Sequence, residues 1–324
     1  MNFLLDQLGT ILINLFIIIA ILLDVLFKIY QKLFGSVKSI SGEIAVVTGG
    51  AGGLGRAISV ELAKQGCHIV IVDVNFELAE QTAKSIHEKY KVKTKAYKVD
   101  VTNYEEVVEL NKNISNEIGK ATILVNNAGI LTLSDLVNPD PIEVQRMINV
   151  NLTSHLWTNR VFLQNMKELN KGHVVAISSV AGLMPLVFSA EYTSTKYGVR
   201  GLMEVLRLEL KIIKGCQNIR TTTVFPVFLD TNAAILKKIQ NINMSNIFLS
   251  IQSGEKVAKR IIQGLLRNEE NITIPDLVSA YTKYIEISPN KVNSWFASIM
   301  YSKHEIKLLK EQEVQKLQRP ENIT

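Results

Sequence analysis

Apolar and polar positions change rhythm three times along the chain. Residues 8–27 read LGTILINLFIIIAILLDVLF, almost without a polar face. A short polar stretch, residues 36–42, separates this run from the rest. From residue 44 onward, short apolar runs bounded by glycine alternate with segments of helical periodicity. The runs at 44–48, 68–72, 95–99, 123–125, 172–178, 220–225 and 272–274 predict strands buried on both faces. The periodic segments at 56–65, 77–90 and 104–118 predict helices. This alternation predicts repeated βαβ units and a doubly wound parallel sheet of the α/β class. The expected organisation is an N-terminal membrane anchor at 1–35, a linker at 36–42, one folded domain at 43–301, and a polar, helix-prone tail at 302–324.

About twenty apolar residues are enough helix to span a hydrocarbon core of about 30 Å. Asn14 and Asp24 interrupt the run. No basic start and no small-residue cleavage site mark it as a removable signal peptide. Asp6 precedes it and Lys28, Lys32 and Lys38 follow, which favours a domain on the cytosolic side. A helix lying within one leaflet is the alternative.

Composition changes this picture little. Of 324 residues, 47% are hydrophobic and 20% charged, as in a globular protein with a sizeable core. The net charge of +6 is spread along the chain, with no basic run interleaved with aromatics, so no nucleic-acid partner is expected. Cys67 and Cys216 have no metal or redox spacing and read as free buried thiols. The five histidines are dispersed, with structural roles as the default, and no metal site is expected. The Asn-x-Ser/Thr sequences at Asn113, Asn151, Asn243, Asn271 and Asn322 read as chance matches in a cytosolic chain.

Candidate chemistry begins in the turn after the first strand, Thr48-Gly-Gly-Ala-Gly-Gly-Leu-Gly55. Glycines between a strand and a helix let a pyrophosphate approach the backbone at the helix N-terminus, where N–H groups and the dipole favour an anion. Asp73 ends the second strand, placed to hydrogen-bond an adenosine ribose and to repel a 2′-phosphate. Val74 and Asn75 follow it, with no basic residue beside it in sequence. These features predict a Rossmann-type fold binding NAD in preference to NADP.

Six motifs in order carry a resemblance to the short-chain dehydrogenase/reductase family over residues 40–275. They are Thr48-Gly49-x-x-x-Gly53-Leu54-Gly55, Asp100-Val101, Asn126-Asn127-Ala128-Gly129, Asn151 within Val-Asn-Leu, Ser179 within Ile-Ser-Ser, and Tyr192-x-x-x-Lys196. The resemblance implies that Asp100 and Val101 meet the adenine. It implies that Asn127, Ala128 and Gly129 line the cofactor floor, and that Pro226 and Thr231 touch the nicotinamide carboxamide. Asn151, Ser179, Tyr192 and Lys196 match the family's catalytic tetrad. The family often has Pro-Gly where this chain has Pro226-Val227.

The residue types suit alcohol oxidation. A free phenol, with a pKa of about 10, is a poor base at neutral pH. Lys196 lies one helical turn from Tyr192, and its ammonium, with the oxidised nicotinamide, is expected to lower that pKa. Ser179 would hold the substrate oxygen, Lys196 would also grip the nicotinamide ribose, and Asn151 would anchor a relay water.

In this family the substrate cleft lies between the segment after the serine, here residues 183–188, and the loop after Pro226. That loop carries Ile235, Leu236, Ile239, Ile242, Met244, Ile247 and Phe248. Such a lining suits a lipid-like alcohol or ketone. Anchor, acid and tetrad together resemble the membrane-anchored branch of retinol dehydrogenases and 17β-hydroxysteroid dehydrogenases, located at the endoplasmic reticulum or lipid droplets with a cytosolic catalytic domain. The resemblance also implies a homodimer through the helices that carry Asn151 and Tyr192. Two other readings stay open: an NADPH-dependent fatty-acyl or sphingoid ketoreductase, which Asp73 opposes, and a catalytically silent scaffold, which the intact tetrad opposes.

Overall fold

The structure is a computed structural model. It describes residues 35–132, 139–186, 189–227, 229–230 and 251–276, with single positions elsewhere. The chain divides into two compact units, Met1–Lys38 and Ser39–Thr324. In the first, the described residues are Leu15, Phe16, Ile19, Leu22, Leu23, Leu26 and Tyr30, all helical and exposed, and the non-helical stretch 35–38. Among the described residues no helix is long and apolar enough to cross a membrane. Most of the segment expected to be an anchor, the loop at 231–250 with Thr231, and the tail lie outside the described residues.

In the second unit, seven parallel strands form one sheet in the order β3-β2-β1-β4-β5-β6-β7. The strands are β1 Ile44–Thr48, β2 His68–Asp73, β3 Thr94–Lys98, β4 Ile123–Asn126, β5 Gly172–Ile177, β6 Ile219–Pro226 and β7 Asn271–Ile274. The helices between them are α1 Gly53–Lys64, α2 Phe76–Tyr90, α3 Tyr104–Glu117, α4 Pro141–Ile148, α5 Ser154–Leu169, α6 Ala190–Ile212 and α7 Gly254–Leu266. This is a Rossmann-type α/β domain. Strand order reverses between β1 and β4, and ligands of such sheets bind at that crevice, beyond the strand C-termini.

Alternation along each strand sorts the core into two layers. Val47, Ile69, Ile71, Val175 and Val224 face α1, α2 and α7, whereas Val46, Val70, Val72, Leu124 and Val174 face α3, α5 and α6. Both layers are dry, which is why the strands read as continuous apolar runs. Part of the stretch read as a linker packs with this unit: Ile40 is buried, and the Gly42 N–H donates to the Gly66 carbonyl at 2.9 Å.

Two features of the fold lie beyond the sequence-based expectations. Helix α4 starts at Asp140, whose side chain accepts from the Ile142 N–H, with Pro141 in the first turn. It runs into a π-helical segment, Asn149–Thr153, before α5 begins. Such segments cluster at functional sites because the widened turn frees backbone from the regular ladder.

Candidate active site

The C-terminal ends of β1 and β4 are tied together by Thr48. Its Oγ1 donates to the Val125 carbonyl and accepts from the N–H groups of Asn127 and Ala128 at 3.0 and 3.1 Å. Asn127 Nδ2 donates back to the carbonyls of Thr48 and Gly49. The floor between the two strands is therefore fixed by side chains of the motifs themselves.

The turn above it is closed to side chains at Gly49, Gly50 and Gly55. Gly49 and Gly53 have φ of +60° and +52°, which L-residues rarely adopt. A Cβ at Gly55 would lie 2.1 Å from the Gly49 carbonyl oxygen. Helix α1 opens behind Gly52 with no side-chain cap and no acidic residue in its first turn. Bare backbone and an uncapped N-terminus fit a dinucleotide pyrophosphate, and the nearby Asp73 carboxylate fits a ribose hydroxyl. Gly55→Ala is expected to weaken binding of a reduced nicotinamide cofactor by about tenfold or more, read by fluorescence titration, because this overpacking sits under the turn itself.

Asp73 accepts from the Ala51 N–H at 3.1 Å and from the Asn75 N–H at 3.0 Å, so it also holds the turn in place. The sheet adds what sequence order hides. Lys98 on β3 is paired in register with Asp73, and it is exposed. A basic residue thus stands beside Asp73 after all, supplied by the neighbouring strand. Asp100 is exposed, with Oδ1 accepting from Thr102 N–H and Oγ1, and Val101 is buried beside it.

Tyr192 and Lys196 lie in the first two turns of α6, and Ser179 caps the short 3-10 turn after β5. The Tyr192 hydroxyl is hydrogen-bonded to Ser179, whose Oγ also accepts from the Ala181 N–H at 3.1 Å. Lys196 is buried, with Nζ 5.5 Å from the centre of the Tyr192 ring and donating to the Ile177 carbonyl at 3.0 Å. Gly182 lets the serine turn pack on α6: a Cβ there would lie 2.7 Å from the Lys196 carbonyl oxygen. A Cβ at Gly129 would lie 3.4 Å from Asn151 Oδ1 and 3.6 Å from Lys196 Nζ, so the floor, the π segment and α6 meet at one point.

Two expectations change in detail. Burial raises the Tyr192 pKa, and the Ser179 hydrogen bond only partly opposes it. Burial likewise lowers the Lys196 pKa to about 8, and its ammonium is turned to a backbone carbonyl. The protein alone therefore moves the phenol upward. Asn151 is fully buried and heavily engaged. Its Oδ1 accepts from the Ile130 N–H, and its Nδ2 donates to the Ile130 carbonyl and to Thr195 Oγ1. One N–H braces the loop after β4 and the other reaches Thr195 on α6, so a relay water has little of this side chain to bind. Pro226 ends β6, next to these strand termini. Thr231 lies outside the described residues, as do residues 187 and 188 of the segment after Ser179.

Sequence reasoning missed one member of this neighbourhood. His155, on α5 one turn after Asn151, is 1% exposed and close enough to Lys196 for its charge to act on the ring. The four-residue spacing from Asn151 was the available signal.

A family model of the short chain dehydrogenases matches residues 43–241. This chain belongs to the short-chain dehydrogenase family. Its members are oxidoreductases acting on alcohols and ketones, and the chain falls in the 17β-hydroxysteroid dehydrogenase-like branch. Human 17-beta-hydroxysteroid dehydrogenase 13 is 30% identical over 86% of this chain and 92% of its own. Human estradiol 17-beta-dehydrogenase 11 is 31% identical over 86% and 91%. Bovine short-chain dehydrogenase/reductase family 16C member 6 is 37% identical, over 60% of this chain and 61% of that protein. Among solved structures, a Burkholderia phymatum short chain dehydrogenase/reductase in complex with NAD superposes with a TM-score of 0.69. It is 22% identical and covers 77% of this chain and 94% of its own.

Proposed function

We propose that this short-chain dehydrogenase oxidises a lipophilic alcohol, a 17β-hydroxysteroid or retinol, with NAD, while held at a membrane by its N-terminal segment. The observation that carries the reading is the meeting of Ser179, Tyr192 and Lys196 with Asn151 and Gly129, next to a glycine-rich turn held by Asp73.

The cofactor, when bound, supplies the hydride acceptor and, oxidised, a positive ring. Its pyrophosphate would rest on residues 49–55, its ribose on Asp73, its adenine by Asp100 and Val101, and its nicotinamide ribose on Lys196. Asn127, Ala128 and Gly129 would form the floor, with Pro226 and Thr231 at the carboxamide. Ser179 donates to the substrate oxygen and aligns it. Tyr192 Oη, hydrogen-bonded to Ser179, accepts the hydroxyl proton as hydride leaves the carbon. Burial alone opposes the phenolate, so the positive ring must provide the compensating pull. The phenolate, the form that accepts the proton, would then be most populated when oxidised cofactor is in place.

Substrate class rests on the names of the relatives and on the apolar residues Leu183, Met184 and Leu186 after Ser179. The membrane reading rests on residues 8–27 and on the exposed helical positions Leu15, Ile19, Leu22 and Leu26, which recur every three or four residues. Endoplasmic reticulum or lipid droplet, with the domain in the cytosol, is the location this supports. Exposed Leu156 on α5, and Val205, Leu208 and Ile212 on α6, suit a homodimer through those helices.

One observation favours a second reading. Lys98 beside Asp73 offers a charge partner to a 2′-phosphate, as an NADPH-dependent ketoreductase needs. The deciding experiment is turnover of all-trans-retinol and estradiol by membranes carrying the full chain, with NAD⁺ and NADP⁺ in parallel. Oxidation with NAD⁺ is the expected result. No turnover of either alcohol, or a preference for NADP(H), transfers the assignment to long-chain keto substrates.

A further inference from the structure

The buried stripe that runs from the π segment into α5 is polar where a core helix is normally apolar. Asn151, Ser154, His155, Thr158 and Asn159 are all at most 5% exposed. Most are satisfied. Ser154 Oγ donates to the Val150 carbonyl, Thr158 Oγ1 donates to Asn126 Oδ1, and Asn159 Oδ1 accepts from Asn126 Nδ2. Three atoms are not: His155 Nδ1, His155 Nε2 and Asn159 Nδ2 have no hydrogen-bond partner among the described residues.

An unpartnered buried polar atom costs about 1–3 kcal/mol, and an apolar ring of the same size would avoid the cost. Burial and the Lys196 charge keep the imidazole neutral, with its pKa lowered to about 3. A neutral imidazole has one N–H and one bare nitrogen. A buried water, which typically makes two to four hydrogen bonds, can accept from the Lys196 ammonium and donate to that bare nitrogen. Asn159 offers another donor one turn away.

We propose that His155 is a positioning residue that, through a buried water, holds the Lys196 ammonium in place behind the tetrad. The inference rests on the dehydrogenase reading of Lys196. Among the described residues, Lys196 is the charge that acts on His155, and Tyr192 is the titratable group beside Lys196, its ring centre 5.5 Å from Nζ. The nearby strand positions Asn126 and Ile177 do not titrate.

The test pairs His155→Phe, which keeps the ring volume, with His155→Gln, which keeps a donor and an acceptor. The Phe variant is expected to lose roughly ten- to a hundredfold in kcat, less than a group that transfers the proton itself can supply. Both KM values should hold, the unfolding midpoint should stay level or rise, and Gln should restore most of the rate. Wild-type kcat in the Phe variant would overturn the proposal, as would rate losses in both variants that track a lowered midpoint. A second readout needs no substrate. In ¹⁵N-histidine-labelled protein, the ring signal that disappears in His155→Gln should remain neutral and shift once with a midpoint near the Lys196 pKa of about 8. That step should vanish in Lys196→Met. A signal with no such step sinks the proposal even if the substrate panel finds no activity, so the two failures are distinguishable.

Discussion

Tyr192→Phe is expected to lower kcat by roughly 10²–10⁴-fold, the range for removing a positioned proton acceptor. The phenyl ring keeps the packing of a partly buried side chain on α6. Ser179 loses the phenol but keeps the Ala181 N–H as a hydrogen-bond donor, so its Oγ is not left without a partner. The unfolding midpoint and the dissociation constant of reduced cofactor should therefore stay near wild type. Absorbance of the reduced nicotinamide in a single turnover isolates the chemical step. A loss smaller than about tenfold would mean the phenol is not the acceptor.

The second large effect is on stability and has the opposite sign to the effect on activity. Lys196 is 4% exposed, and burial lowers its pKa from 10.5 to about 8. Between those values the unfolded chain binds the proton that the folded chain has released. Stability contributed by this group therefore rises with pH across the window, and below about 8 the full cost of burying the ammonium is present. That cost is on the order of 3 kcal/mol. Lys196→Met keeps the stem and removes the charge. It is expected to unfold at higher urea concentration than wild type at neutral pH, by an amount that shrinks as pH rises from about 8 towards 10.5. It should also be inactive. Equal or lower stability of the Met variant at neutral pH would show that the Ile177 hydrogen bond outweighs the desolvation of the ammonium.

What the sequence revealed follows from which forces act locally. Strands such as 44–48 and 68–72 were legible because both sheet faces are dry and the apolar run is unbroken. The glycine turn was legible because positive φ and the crowding at Gly55 admit almost no other residue. Lys98 was not, because its nearness to Asp73 is a matter of strand register across 25 residues. The upward push of burial on the Tyr192 pKa was not legible for a similar reason: spacing puts a lysine one turn away but does not say how deeply both groups are buried. Asn151 was recognised by its motif, yet its hydrogen bonds to Ile130 depend on a loop 21 residues earlier. Helix α4 had a local signal in Asp140-Pro141, whereas the π segment had none, since it interrupts periodicity without changing composition.

That segment ties α4 to α5 through a wider turn, and the consequence is one of angular phase. An α-helix advances about 100° per residue, and a π turn absorbs one residue more than an α turn does. Shortening 149–153 by a single residue would let a regular helix run straight through. It would also rotate Asn151 by about a quarter-turn relative to His155 and Phe162 on α5. The loop at Ile130 would lose its brace while every strand stayed intact. In this domain the catalytic corner is set by residue count as well as by residue identity.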